Sequence, residues 1–315
     1  MKPTLSQITI FLKNKVNYFF SPVISIFDYS TAKCIQSSPE KRIVETIIPA
    51  DYPENLILTT YFNSKANPQN KPNVAVDDFS YIENFYNSVR EHRLFAVIFY
   101  DNLSTEFIKL YSCENIRFVK CKILQYSLND ERFFIYQEFL NCVSANKILM
   151  CDVNDVTFGE DPFTFIKKNI FYIGRDHHQL TNHSQWLHEK ISILPLDLQK
   201  KIPALFFTMP LVNAGVIGGD NKVINDFLYK ITRLLSYVDN DKNNNMVCVN
   251  ILFFDSYWVN YCKSLRVKIK YFRPTDLKKL ADTATIRSKY FYMGKPFVSR
   301  FWKFEKNNGS YVYHK

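Results

Sequence analysis

Glycine is scarce in this chain, with seven among 315 residues, and three of those seven are Gly215, Gly218 and Gly219. The scarcity leaves no glycine-rich, basic phosphate loop after the first strand candidate, which argues against a nucleotidyltransferase that makes nucleotide sugars. The seven cysteines, at 34, 113, 121, 142, 151, 248 and 262, are odd in number and show no C-x-x-C spacing. That pattern gives neither a zinc set nor a closed disulfide framework, and a reducing cytosolic compartment is the simplest expectation. No run of eighteen apolar residues is present, so no membrane-spanning helix is expected. Helix-turn-helix, zinc-finger and aromatic RNA-binding signatures are missing too, and the basic residues are dispersed, which excludes nucleic acid as a partner. Acidic residues are also few, 30 against 40 Lys and Arg, for a net charge of +10. The excess suits nucleotide diphosphates, anionic glycans or an anionic membrane surface.

What is present is apolar and aromatic. At 47% hydrophobic residues, with 28 Phe and 20 Tyr, the chain can bury one large core of a sheet sandwiched between helices. Strand candidates at 56–61, 94–100, 116–123 and 147–153 alternate with helical spacing at 79–93, 104–113 and 130–143, which predicts a doubly wound sheet. Beyond them, 170–173 and 204–208 read as strands, 183–193 and 223–237 as helices, and 238–245 as a polar loop. Residues 1–50 read as an N-terminal amphipathic segment and linker, and 51–315 as one catalytic domain. Phe, Ile, Leu and Val mixed with Lys13 and Lys15 over 8–27 suit an interfacial segment or a helix packed on the domain.

The most informative stretch is Lys147-Ile-Leu-Met-Cys-Asp152-Val153-Asn-Asp155-Val-Thr-Phe-Gly-Glu-Asp161-Pro-Phe163. An apolar strand runs into carboxylates, and a strand end is a rigid place from which to aim them into a crevice. Two hard oxygen ligands suit Mg²⁺ or Mn²⁺ that draws its remaining ligands from water and a diphosphate. Aspartates after strands are also common turn formers, and Asp161-Pro162 reads as a helix cap. A second segment, Leu211-Val-Asn213-Ala-Gly215-Val-Ile-Gly218-Gly219-Asp220, combines a polar amide with glycines that allow close backbone approach.

Together these segments resemble the DxD glycosyltransferases of the GT-A, nucleotide-diphospho-sugar transferase fold, with distant glycogenin-like features. There the metal strand commonly reads D-V-x-D-V-x-F-x-x-D-P-F, and a later strand and turn read N-x-G-x-x-G-G. The resemblance implies a Rossmann-like α/β fold with a mixed, mainly parallel central sheet flanked by helices. It implies a metal-dependent hexosyltransferase that moves a sugar from a nucleotide diphosphate to a glycan or lipid-linked acceptor, in the cytoplasm or at the cytoplasmic face of a membrane. A non-catalytic carbohydrate-binding relative is the alternative from another class. Two departures stand out: Asn154 lies between the aspartates, and the fuller C-terminal pattern of the glycogenin-like group is absent.

By the same resemblance, Asp152, Asp155 and His314 would hold Mn²⁺ or Mg²⁺. Thr59, Thr60, Tyr61 and Asn63 would meet the nucleotide, Arg132 the diphosphate, and Asp152 and Val153 the donor. Asn213, Gly215, Gly218 and Gly219 would form a sugar-binding wall. Asp176 and Asp220 are the candidate catalytic carboxylates. The histidines at 177, 178, 183 and 188 invite a zinc reading, but their spacing suits no familiar set. Trp186 suits either sugar stacking or a buried helix position.

Overall fold

In a computed structural model, the structure describes residues 25–30, 40–44, 52–66, 74–181, 184–238, 242–268, 285–300 and 309–315, apart from the side chains of 177–180, 265–268 and 300. The first half alternates as the apolar spacing predicts. Strand β1 (Asn55–Tyr61) leads to helix α1 (Glu83–Glu91), β2 (Ala96–Tyr100), α2 (Thr105–Tyr111), β3 (Ile116–Lys120), α3 (Leu128–Leu140), β4 (Lys147–Cys151) and the short β5 (Val156–Phe158). Ser104 caps α2 and Ser127 caps α3, each hydroxyl accepting a first-turn N–H, as helix starts require. The second half holds β6 (Phe171–Leu180), α4 (Gln185–Ser192), α5 (Leu196–Lys201), β7 (Pro210–Asp220), α6 (Asn221–Val238), α7 (Asn245–Phe253), α8 (Val259–Lys268), β8 (Thr285–Arg287), β9 (Phe291–Gly294), β10 (Val298–Arg300) and β11 (Val312–His314).

Eight strands form one sheet in the order β3-β2-β1-β4-β7-β6-β9-β8, and β10-β11-β5 form a second of three. In the large sheet β3, β2, β1 and β4 are mutually parallel, and β7 runs antiparallel to both β4 and β6. This is the mixed, mainly parallel sheet flanked by helices that the GT-A resemblance implies. Both faces are covered. Leu56, Leu58, Ile148 and Met150 enter a core with α3, α6 and α7. Ile57, Leu149 and Cys151 enter a second core with α1, β5 and β11. Strands buried on both sides read as continuous apolar runs, which is why they were legible.

Three expectations change. Residues 204–208 form no strand: Phe206–Thr208 is a 3-10 turn, and the strand begins only at Pro210. The segment from Leu211 to Asp220 is not a strand followed by a turn but lies within one eleven-residue strand. The strand expected at 170–173 runs on to Leu180 as β6. Among the described residues no helix is long and apolar enough to cross a membrane.

Two pieces before Asp51 pack on the domain. Ile26, Phe27 and Ile43 are buried in the first core. Asp255 accepts the consecutive N–H groups of Ile26 and Phe27 at 2.9 and 3.2 Å. Glu138 on α3 does the same for Arg42 and Ile43, at 3.0 and 3.1 Å. The rest of the expected interfacial segment, residues 8–24, lies outside the described residues.

Candidate metal and nucleotide-sugar site

The connections from β1 leave in both directions, β2 and β3 on one side and β4 on the other. Such a switch point opens a crevice at the carboxyl ends of its two strands. Asp152 stands there, directly after β4, its N–H bonded to the Gly215 carbonyl at 3.0 Å so that the β4–β7 ladder extends one residue further. Asp155 precedes β5, which pairs with β11 and sets His314 opposite Val156. The Lys315 N–H closes the same pairing on the Asp155 carbonyl at 2.9 Å. One ligand atom from each of Asp152, Asp155 and His314 lies within 4.8 Å of the others.

Gly215 explains how they fit. A β-carbon there would fall 2.3 Å from Cε1 and 2.4 Å from Nε2 of His314, and 2.8 Å from Oδ2 of Asp152. Only a residue without a side chain lets the imidazole and the carboxylate share that space. The backbone at Gly215 is not in the left-handed region, so close approach and not turn geometry requires the glycine.

Electrostatics hold Asp152 ionised. Burial would raise its pKa, but the charge of Arg132 and the hydrogen bond and charge of His314 outweigh burial and hold the carboxyl well below its ordinary range. Arg132, buried in the first turns of α3, donates one N–H to Asp152 Oδ1 and another to the Ala214 carbonyl at 3.2 Å. Oδ2 faces His314 Nε2 at 3.6 Å. Two carboxylates and an imidazole form a donor set that Mn²⁺ accepts more readily than the oxygen-preferring Mg²⁺.

Around this group the structure sorts the remaining candidates. Asn63 follows β1 on the same edge of the sheet, its side-chain nitrogen and oxygen both buried without a hydrogen-bond partner. Buried amides without partners are rare, and a polar ligand is one way to satisfy this one. Thr60 keeps its place near the crevice, against the Tyr136 phenol. Thr59 and Tyr61 do not face it: the Thr59 hydroxyl, fully buried, donates to the Cys151 carbonyl at 2.8 Å, and the buried Tyr61 bonds the Ala75 carbonyl at 2.9 Å. Val153 turns its side chain into the second core.

Asn213 lies on the same edge, paired with Gly174, but its side-chain oxygen accepts the Gly215 N–H at 2.6 Å. Asp176 follows Arg175, which pairs with Val212, and so stands at that edge as well. Gly218, Gly219 and Asp220 do not. They pair with Leu149, Ile148 and Lys147, and at about 3.4 Å per residue Asp220 is roughly 17 Å from Gly215. Gly218 makes room for Phe297, Ile166 and Leu149, and Gly219 for Val223. Asp220 caps α6, accepting from Val223 N–H at 3.0 Å and from Asn169 N–H. These three are packing and capping residues, which corrects their sequence reading as wall and catalyst.

Two residues of the site escaped the sequence reading. Burial, then the charges of Asp152 and Asp155, push the Tyr81 phenol above its ordinary pKa, so this half-buried ring lies within electrostatic reach of the carboxylates. Nothing local in the sequence marks it. Asp101, directly after β2, accepts the N–H groups of Asn63 and Ser64 at 3.1 Å each and shapes the loop after β1. Its signal was legible, since it follows an apolar strand just as Asp152 does. His188 stacks on Phe207 with centroids 5.1 Å apart, and Trp186 is exposed with Lys190 over its ring at 5.8 Å. His183 and the side chains of His177 and His178 lie outside the described residues.

The chain is similar in structure to the galactosyltransferase LgtC. A crystal structure of LgtC in complex with donor and acceptor sugar analogs matches at 11% identity, over 76% of this chain and 86% of that one, with a TM-score of 0.40. An active-site mutant of LgtC matches over the same shares at 11% identity and a TM-score of 0.42. No family model and no curated protein matches the sequence.

Proposed function

We propose that this protein is a metal-dependent glycosyltransferase that moves a hexose or related sugar from a nucleotide diphosphate to a glycan or lipid-linked acceptor. The observation that carries the reading is the convergence of Asp152, Asp155 and His314 at the switch point of the sheet. Mn²⁺ held by these three would stabilise the negative charge that develops on the leaving diphosphate. Arg132 keeps Asp152 ionised and oriented, and its buried guanidinium adds positive charge behind that carboxylate. The unpartnered amide of Asn63 offers a donor and an acceptor to the nucleotide, with Thr60 beside it. Asp176, on the same edge, is the carboxylate that would orient an acceptor hydroxyl or take its proton. The net charge of +10 favours an anionic donor and peripheral association with an anionic membrane surface.

A panel of nucleotide sugars with Mn²⁺, scored separately for hydrolysis and for transfer, tests the reading. Asp155→Ala in folded protein is expected to abolish metal-dependent turnover. Full activity of that variant removes Asp155 from the site, and nucleotide affinity that is the same with and without Mn²⁺ supports a non-catalytic binding protein instead.

A further inference from the structure

The opposite edge of the sheet carries a second polar cleft. Arg90, Arg93 and Arg117 line a cavity of about 870 Å³ together with Tyr52, Phe95 and Glu114. Tyr52, Phe95 and Glu114 all precede the strands they lead into, β1, β2 and β3, whereas Asn63, Asp101 and Asp152 follow theirs. The five-residue strand β2 therefore separates the two clefts by roughly 17 Å. A donor held at Asp152 and Asp155 does not reach this one.

Its chemistry is that of an anion site. Three guanidinium groups meet a single carboxylate, an imbalance that a ligand of two or more negative charges neutralises. The Arg117 guanidinium lies over the rings of Tyr52 and Phe95, at 4.8 and 5.4 Å from their centroids, and the rings meet edge to face at 82°. An arginine packed against two rings in this way is held in place before any ligand arrives, so little freedom is lost on binding. Arg93 closes α1 in the left-handed region, with φ of 51°, and the Leu94 N–H returns to the Val89 carbonyl at 2.9 Å. Glycine is the strain-free residue at that helix end. An arginine there brings a third cation to the mouth of the cleft at a conformational cost.

We propose that this cleft binds a phosphorylated ligand through Arg90, Arg93 and Arg117, as a second site independent of the metal group. Guanidinium forks match phosphate oxygens in pairs, and the volume falls in the range of small-molecule sites. The phosphate has two sources of the same chemistry, a soluble phosphoester or a lipid headgroup.

The test uses the full chain in EDTA, with inorganic pyrophosphate as probe followed by calorimetry, and with phosphatidic acid vesicles against phosphatidylcholine vesicles followed by co-sedimentation. Pyrophosphate affinity, or retention on the phosphatidic acid vesicles, is expected to fall at least tenfold in Arg117→Ala and in the Arg90→Ala, Arg93→Ala double variant. Arg90 and Arg93 are exposed, so the double variant is expected to melt as wild type does and keeps the test valid if Arg117→Ala misfolds. Loss confined to the vesicles assigns the phosphate to a lipid, and loss confined to pyrophosphate assigns it to a soluble ligand. An undiminished response to both probes in the double variant, or no binding of either by the wild type, overturns the proposal.

Discussion

Gly215 faces the His314 imidazole so closely that a methyl group in place of its α-hydrogen would fall 2.3 Å from Cε1. Two strands distant in sequence thus share one van der Waals surface, and the ligand geometry is set by what Gly215 lacks. Gly215→Ala is expected to push His314 and Asp152 apart, weakening Mn²⁺ affinity at least tenfold. The added methyl overpacks the site at a cost of about 1–3 kcal/mol. Calorimetric titration of Mn²⁺ and a denaturant melt read the two effects separately, and unchanged metal affinity would show that the imidazole is not a ligand.

Arg132 and Asp152 form a pair in which the arginine is buried and the aspartate side chain 29% exposed. Removing the buried guanidinium takes one of two stabilising partners from Asp152, at a cost of about 3 kcal/mol at most. Arg132→Ala is therefore expected to lose most of that amount in urea unfolding. Arg132→Lys retains the charge without the forked contact to the Ala214 carbonyl and is expected to fall between the two.

Asp255 governs a pH dependence. Burial raises its pKa from 3.8 to about 6, against the opposing hydrogen bonds from Ile26 and Phe27. The folded state thus binds a proton more tightly than the unfolded chain, so stability falls as pH rises from about 4 through 6. A shift of this size corresponds to about 3 kcal/mol. Asp255→Asn is expected to flatten the slope of unfolding free energy over that interval. Asp130, raised to about 7 chiefly by burial, adds a slope of the same sign that persists in the variant. An identical profile for Asp255→Asn and wild type would remove Asp255 as its source.

The N-terminal boundary near residue 50 meets a direct test. A chain starting at Asp51 lacks Ile26, Phe27 and Ile43 and leaves Asp255 and Glu138 without the backbone donors they hold. It is expected to unfold at lower denaturant than a chain starting at residue 25. Equal midpoints would return the boundary to residue 50.

The large sheet was legible because strands buried on both faces read as apolar runs between amphipathic helices. Asp152 and Asp155 were legible because they follow such a strand within a stretch that resembles the DxD metal motif. Gly218 and Gly219 were misread because a glycine needed for side-chain packing inside a long strand looks the same in sequence as one needed for a ligand. Asp220 followed them into that error, since only the register with Lys147 shows it at the far edge. The electrostatic influence of the carboxylates on Tyr81 depends on tertiary placement that no local pattern encodes.

The pairing of β11 with β5 has a bearing on biosynthesis. A chain is made from its N-terminus, and Asp152 and Asp155 leave the ribosome well before Val312–His314. The imidazole of His314 arrives after every strand of the large sheet. A growing polypeptide therefore carries Asp152, Asp155 and Gly215 before the imidazole that joins them has been made.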